Sequence, residues 1–263
     1  MSDAGLAGAR ALAADTLKIA EQFGTVEWEA DTACHGWRVH DLIGHMAFFF
    51  NFIADPDLVF PPNPSGKSER LNDAAVRERA DLPHEEILEY YREQSEAGLA
   101  TLAALNSPDL RDNTLDMLDL GTYKLHQLSD AVSFDHLVHL TSDLLQPFGP
   151  VTAGDVDVAT AIDPAIDWMI AGLPQMCGDG VGASLKSPVG LHLTGATDRT
   201  FVLSRQDDAV VVTEDGDLPD HVATSSATDF LRWGTTRSAW RSAVTVSGDR
   251  TLVASVLDAI DIV

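Results

Sequence analysis

The segment "SFDHLVHLTSDLL", residues 133–145, combines a helical apolar pattern with an acidic residue and a histidine on one face. Asp135 and His139 are four residues apart, so an α-helix places one above the other. The apolar residues of the same face are Leu128, Ala131, Val132 and Val138. A buried carboxylate or imidazole is strongly destabilising unless another group satisfies its charge and lone pairs. The segment therefore predicts a helix in a protein core and a partner for both polar groups.

Three further helical patterns precede this segment, and together the four predict an antiparallel helix bundle. The second pattern ends before Pro56, and the fourth ends at "QPFGP", because proline interrupts a helix. The predicted helices are one carrying Leu12, Ile19 and Phe23, one over Val39–Ala54, one over His84–Leu105, and one containing residues 133–145.

The second half of the chain changes from helical to alternating periodicity. After an amphipathic helix, "PAIDWMIAGLP", the segments "VGLHLTG", "TFVLS", "AVVVTED" and "SAVTVSG" alternate apolar and polar residues, which is typical of strands. Two short helices, "ATDFLRWG" and "GDRTLVASVLDAI", flank the last of these strands. The chain is therefore predicted to be α+β, with a helical bundle over residues 1–152 and a small α+β domain over residues 153–263.

Composition excludes some classes of partner. The 263 residues carry a net charge of −24, which disfavours nucleic acid and anionic membranes. The sequence has two cysteines, no stretch long enough to span a bilayer and no signal-peptide pattern at its start. We therefore expect a cytoplasmic protein that acts on a small molecule, and both monomer and homodimer remain open.

A second inward histidine completes a candidate metal site. His45 lies on the predicted helix over Val39–Ala54, and its face is otherwise formed by Leu42, Phe48, Phe49 and Phe52. An acid–histidine pair four residues apart, with a histidine from another helix, matches a three-ligand catalytic zinc site with one open position. The alternative is a hydrogen-bonded core histidine beside an ordinary Asp135–His139 ion pair.

Other candidate residues are assigned simpler roles from the sequence. His136 lies about 100° around the helix from Asp135 and is expected to face out of the site or into the second domain. His35 and His40 are expected to be exposed at the start of the second helix, and Cys34 is interpreted as a loop residue. The sequence contains no P-loop, Rossmann fingerprint or serine nucleophile elbow.

Two motifs resemble a known family. "WRVHDLIGHM" resembles the "W-[ST]-x-x-D-L-x-x-H-L" signature of the mycothiol-dependent maleylpyruvate isomerase family, whose metal-binding domain is similar to DinB-like four-helix bundles. "DHLVHLTSDLL" resembles its second signature, and the C-terminal half, ending "VTVSGDRTLVASVLDAI", is similar to a sterol-carrier-protein-like domain. The resemblance implies that His45, Asp135 and His139 are the metal ligands.

This sequence departs from the family pattern at two positions. Arg38 replaces the Ser or Thr that would cap the second helix, a loss of about 1 kcal/mol unless Thr32 or another group compensates. Asp135 stands where the isomerases commonly have Glu, and the shorter side chain is expected to alter metal coordination.

The resemblance also implies a reaction. A divalent metal, with Zn²⁺ the expected ion, would bind mycothiol as a thiolate that attacks a small electrophile, giving an isomerase or an S-transferase. Arg237, in "FLRWGTTR", is the predicted catalytic cation. Three phenylalanines, Phe48, Phe49 and Phe52, would keep the site dry. Asp143 would orient a ligand histidine. Two alternatives remain: a hydrolase that uses metal-bound hydroxide, and a non-catalytic binding protein with a structural ion.

Overall fold

The computed structural model describes residues 2–152, 154–214 and 217–262. Within it the chain forms two compact units, Met1–Ala165 and Ile166–Val263. Ala153, at the predicted domain boundary, and Asp215, the last residue of the predicted strand "AVVVTED", lie outside the described residues. Across the described ranges, no helix is long and apolar enough to cross a bilayer.

The first unit is the predicted helical bundle. Its helices are α1 (Ser2–Ala20), α2 (Thr25–Trp28), α3 (Val39–Ala54), α4 (Ser68–Arg77), α5 (His84–Leu105) and α6 (Leu128–Val138). Helix α1 packs on α5 and α6, and α3 also packs on α5 and α6, so the four long helices close a ring. The predicted bounds of α3 and α5 agree with the structure, because each helix has a long apolar pattern with clear breaks at both ends. Helix α7 (Val158–Met176) begins in the first unit and ends in the second.

A π-helical turn, His139–Leu144, continues α6 without a break. Here the backbone N–H of Leu145 donates to the carbonyl of Leu140, five residues back, at 3.0 Å. The sequence predicted one regular helix through residue 145, and apolar periodicity does not distinguish a single wide turn from an α-helical one. Such turns are rare and occur frequently at functional sites.

The start of α3 compensates for the missing cap residue. Asp41 accepts a hydrogen bond from the backbone N–H of Arg38 at 2.9 Å and also pairs with the Arg38 guanidinium at 3.1 Å. Burial alone would raise the pKa of Asp41, but hydrogen bonds from His40 and Arg38 outweigh burial and lower it. Thr32 instead donates to the carbonyl of Trp37 at 2.8 Å. The compensating group is therefore Asp41, which satisfies a backbone donor at the helix terminus.

The connection between α3 and α5 and that between α5 and α6 contain elements that the sequence analysis missed. Helix α4 buries only Ser68, Ala75 and Val76, so it lacks a continuous apolar face. Strands β1 (Thr114–Asp116) and β2 (Thr122–Lys124) form an antiparallel pair and are too short for alternation to reveal them.

The strands of the second unit are β3 (Val189–Thr194), β4 (Arg199–Gln206), β5 (Ala209–Glu214), β6 (Val222–Ser226) and β7 (Val244–Ser247). They form a five-stranded sheet in the order β5-β4-β3-β6-β7. All pairs are antiparallel except β3 with β6, which are parallel. The four strands predicted from alternation are β3, β4, β5 and β7, whereas β6, "VATSS", was missed because its composition is small and polar. The short helices of this unit are α8 (Gly178–Ser184), α9 (Ala227–Gly234) and α10 (Arg250–Leu257). The predicted α+β class, a helical bundle followed by a sheet domain, is confirmed.

Candidate metal centre

Three side chains of the predicted ligand set meet inside the first unit. His45 comes from α3, Asp135 from α6, and His139 is the first residue of the π-helical turn. The Nε2 atom of His45 lies 3.1 Å from Oδ1 of Asp135, and Nε2 of His139 lies 3.6 Å from the same oxygen. All three ligand-type atoms lie within 4.8 Å of one another. The structure brings the predicted residues together, and their role as metal ligands stays a prediction.

Burial and charge set the protonation of this group. Burial alone would raise the pKa of Asp135, but the imidazoles around it, led by His45 and His139, hold this pKa well below its usual range. Burial lowers the pKa of His139, and attraction to Asp135 and Asp143 only partly opposes that shift. At neutral pH an anionic carboxylate therefore lies beside a neutral imidazole, and these are the forms that bind a metal.

Asp143 fixes the orientation of the His139 ring. Its Oδ2 atom lies 2.8 Å from Nδ1 of His139, and the carboxylate is almost fully buried. An anionic carboxylate only accepts hydrogen bonds, so Nδ1 carries the proton and the lone pair is on Nε2. That lone pair is on the nitrogen that faces Asp135. The predicted contact between Asp143 and a candidate ligand is confirmed, and such contacts raise the basicity of a ligating imidazole.

The donor set of the group tests whether a metal ion fits there. Among the described residues, neither Nδ1 of His45 nor Oδ2 of Asp135 has a hydrogen-bond partner, although both are buried. Nδ1 of His136 lies 3.2 Å from that oxygen. The atoms that face one another across the group are others: Nε2 of His45, Oδ1 of Asp135 and Nε2 of His139. Two imidazole nitrogens and one carboxylate oxygen are also a donor set that catalytic zinc uses, so the residues fit a divalent ion.

The aromatic ring nearest the imidazoles is Trp37, which the sequence analysis did not assign to the site. Its ring centroid lies 4.9 Å from that of His45 and 6.5 Å from that of His139. The signal that could have found it is its position as the first residue of the quoted motif "WRVHDLIGHM". The phenylalanines predicted to keep the site dry, Phe48, Phe49 and Phe52, show ring contacts with each other and with Phe60.

Comparison with known proteins places this geometry in a family. Residues 9–140 match the family model of the mycothiol maleylpyruvate isomerase N-terminal domain, a span that covers half the chain and includes all three candidate ligands. The chain belongs to the mycothiol maleylpyruvate isomerase family.

Solved structures from the family share the fold. A crystal structure of the mycothiol-dependent maleylpyruvate isomerase is 13% identical, covers 94% of this chain and 93% of its own, and superposes with a TM-score of 0.59. A histidine-to-alanine mutant of that enzyme is 12% identical, with the same coverage and TM-score. At these identities the likeness shows a common fold. No curated protein sequence matches the chain.

Two histidines outside the family's ligand pattern are buried rather than exposed. His136, predicted to face out of the site or into the second domain, is fully buried within the first unit between Phe50 and Tyr91, with ring centroids 4.9 and 6.0 Å away. The reason is that α6 is buried on nearly every side. His40 was predicted to be exposed, yet only 1% of it is accessible, because α3 is buried around its whole first turn. His35 is exposed, as predicted.

Cys34 lies in the loop before α3, as predicted, and this loop places it next to the candidate metal centre. Its Sγ atom is 3.7 Å from Nδ1 of His139, and with His139 and Asp143 it forms a second group of potential metal-binding atoms. Because Nδ1 is the ring nitrogen that faces Asp143, the thiol lies on the opposite side of the ring from the His45–Asp135 group.

Arg237, the predicted catalytic cation, belongs to the second unit. It follows α9, is half-buried, and its backbone N–H donates to the carbonyl of Arg232 at 2.8 Å. No observation tests its role, so its assignment as a catalytic residue stays a prediction.

Replacing Asp143 with asparagine is expected to weaken metal binding about 10–100-fold, because a neutral amide no longer raises the basicity of the His139 ring. Chelator competition on the purified protein measures this change. Asp198→Asn provides the control, since Asp198 also contacts a histidine, His192, at 2.9 Å but with an exposed side chain. Equal affinities in the wild-type protein and the Asp143→Asn variant would contradict this role for Asp143.

Proposed function

We propose that this chain is a metal-dependent enzyme that uses a low-molecular-weight thiol of the mycothiol type to isomerise, or to conjugate, a small electrophilic substrate. The observation that carries the proposal is the buried His45–Asp135–His139 group within the matched family domain. A reducing cytoplasm would keep such a thiol in its active form, and we propose that the protein works there.

Each residue of the group has a distinct role in the proposal. Nε2 of His45, Oδ1 of Asp135 and Nε2 of His139 would hold a divalent ion, with Zn²⁺ the expected metal. When bound, the ion supplies an open position at which a thiol loses its proton below its usual pKa of about 8.5. The negative charge of Asp135 partly balances the charge of the ion, so one position stays available to an anionic sulfur.

The surrounding residues shape how the centre works. Trp37 covers both imidazoles, which excludes water from one side of the group and strengthens electrostatic interactions there. Asp143 holds His139 in the tautomer that leaves Nε2 as the donor atom. The candidate centre is thus preorganised on the rigid helices α3 and α6 and on the turn that extends α6.

A hydrolase is the main competing function, because the same three ligands could support a metal-bound hydroxide. Family membership favours the thiol, since the family takes its name from mycothiol dependence. A purely structural ion is disfavoured, because structural zinc sites use four protein ligands and this group offers three.

Cobalt substitution distinguishes these functions. The protein loaded with Co²⁺ is titrated with mycothiol and with an analogue in which oxygen replaces the sulfur. We expect a sulfur-to-cobalt charge-transfer band with mycothiol alone, and thiol-dependent turnover of a cis-enone substrate. A protein that binds Co²⁺ but shows no such band at saturating mycothiol would overturn the thiol proposal.

A further inference from the structure

Backbone hydrogen bonds hold the half-buried Cys34 beside the π-helical turn. The N–H of Ala33 donates to the carbonyl of Asp143 at 3.1 Å, which ties the loop directly to the turn. The N–H of Trp37 donates to the carbonyl of Cys34, also at 3.1 Å, and closes the loop behind it. The position of the thiol is therefore set by the backbone of the loop as well as by its own side-chain rotamer.

Three donor atoms of different elements meet at this point. They are the sulfur of Cys34, Nδ1 of His139 and a carboxylate oxygen of Asp143, and all lie within 4.8 Å of one another. The sulfur is 3.7 Å from Nδ1. A tetrahedral ion with bonds of about 2.3 Å to sulfur and about 2.1 Å to nitrogen holds these two atoms about 3.6 Å apart. The sulfur and the nitrogen are thus already separated like two ligands of one ion.

The carboxylate of Asp143 approaches the same nitrogen more closely, at 2.8 Å, because it accepts the Nδ1 proton. An ion that replaces this proton would be bound by the nitrogen and by the carboxylate, since both atoms face it. The carboxylate is almost fully buried, so its charge is poorly screened by water. A cation between the sulfur, the nitrogen and this carboxylate is therefore electrostatically favoured.

This group is separate from the candidate metal centre, although both use His139. Nε2 of the ring faces Asp135, 3.6 Å away, whereas Nδ1 faces Asp143. The two nitrogens point to different sides of one imidazole ring, so a single ion does not bind both. Cys34 is consequently placed to hold a different ion from the one assigned to His45 and Asp135.

The ligand types indicate which ions suit the group. Thiolate and imidazole ligands select borderline and soft ions such as Zn²⁺, whereas Mg²⁺ and Ca²⁺ take oxygen ligands. Two anionic ligands, the Cys34 thiolate and the Asp143 carboxylate, balance the charge of a divalent ion. The candidate centre has one anionic ligand, Asp135, so an ion there retains more positive charge and activates a bound water or thiol more strongly.

We propose that Cys34, His139 and Asp143 bind a second ion of the Zn²⁺ type, on the side of the His139 ring that faces Asp143. Binding releases the thiol proton and the Nδ1 proton to solvent, and the sulfur and the nitrogen each form one bond to the ion. When both ring nitrogens are coordinated, the ring has lost its last proton, so the second ion binds more weakly than the first. An ion binds here whatever reaction the candidate centre catalyses.

Cobalt reports this site directly, because a sulfur bound to Co²⁺ gives a charge-transfer band that nitrogen and oxygen ligands do not. The full chain, freed of metal with a chelator, is titrated with Co²⁺ without any added thiol. We expect a second binding phase, weaker than the first, in which the charge-transfer band grows. The Cys34→Ser variant is expected to lose this phase and the band. Cys34→Ala repeats the test if the serine variant does not fold.

Cys177→Ser is the matched control, since the chain has two cysteines. Cys177 belongs to the second unit, where its thiol donates to the carbonyl of Asp261 at 3.0 Å. Its replacement removes a thiol outside the group and should leave the second phase and the band unchanged. A band of wild-type intensity in the Cys34 variants would overturn the proposal, as would a wild-type protein that shows no band with excess Co²⁺.

The His45→Ala variant distinguishes two ions from one. It removes a ligand of the candidate centre and leaves all three residues of the second group, so the band should persist without added thiol. Loss of the band in this variant would mean that Cys34 binds the same ion as His45, and the separate site would be wrong. In Cys34→Ser, by contrast, a band that appears only with mycothiol reports the proposed thiol function alone.

Discussion

Replacing His139 with alanine is expected to reduce bound metal to less than about a tenth of the wild-type level. The change removes one ligand atom and also the donor that Asp143 accepts from at 2.8 Å. Mutating a residue that only hydrogen-bonds to a metal ligand costs about 10–100-fold in metal affinity or activity. Removing a ligand itself should therefore lower thiol-dependent turnover by at least about 100-fold. Elemental mass spectrometry and a turnover assay measure the two effects.

The same substitution should also destabilise the metal-free protein. Asp143 is buried and would lose the donor of its 2.8 Å hydrogen bond, and a buried acceptor left without a partner costs about 1–3 kcal/mol. A glutamine at position 139 retains a hydrogen-bond donor and most of the volume, so His139→Gln keeps the test valid if the alanine variant does not fold. Chemical denaturation of both variants reports the free energy of unfolding.

His192→Ala is the control for this prediction. His192 also lies 2.9 Å from a carboxylate, that of Asp198, but in the second unit and with 30% of its side chain exposed. Its replacement should leave metal content unchanged. Full metal occupancy in both His139→Ala and His139→Gln would show that the proposed ligand set is wrong.

Long helices and their inward polar residues were predictable from the sequence. Helices α3 and α5 begin and end where their apolar patterns do, because proline or polar loops interrupt them. The helical pattern also predicted that three side chains lie close together: His45, Asp135 and His139. Residues four apart share a helix face, and the inward faces of a bundle converge.

Residues placed by loops were not predictable in this way. Trp37 and Cys34 reach the candidate centre because the segment before α3 folds back on itself through Thr32 and bonds to the π-helical turn through Ala33. Thr32 donates to the carbonyl of Trp37 at 2.8 Å, and the N–H of Ala33 donates to the carbonyl of Asp143 at 3.1 Å. Such tertiary hydrogen bonds leave no periodic signal in a sequence.

The burial of His40 and His136 shows a second limit of sequence patterns. A helical wheel assigns one face to the core, but α3 and α6 contact neighbours on more than one side. A polar residue outside the predicted core face is then buried as well, as His40 is and as His136 is against Phe50 and Tyr91. Helix position within the bundle, and not amphipathicity alone, decides which residues are exposed.

Asp135 is expected to tolerate neither loss of its charge nor a longer side chain. Asp135→Asn keeps the shape but removes the anionic ligand, so metal affinity should fall at least about 100-fold. The free energy of unfolding of the metal-free protein should change by only about 1 kcal/mol, because a neutral amide still hydrogen-bonds to neutral imidazoles. Chelator competition and chemical denaturation separate these two effects, and an asparagine variant with wild-type metal affinity would contradict the assignment of Asp135 as a ligand.

Asp135→Glu tests whether the centre is built around the shorter carboxylate. The ring centroids of His45 and His139 are only 5.0 Å apart, and Oδ1 of Asp135 already lies 3.1 Å from Nε2 of His45. An added methylene must displace these rings, at a cost of about 1–3 kcal/mol, which corresponds to a roughly tenfold or greater loss of metal affinity. Tighter metal binding and faster thiol chemistry in this variant would mean instead that the ring positions adjust freely. The aspartate would then have lowered the activity of a centre that works better with the glutamate common in the family.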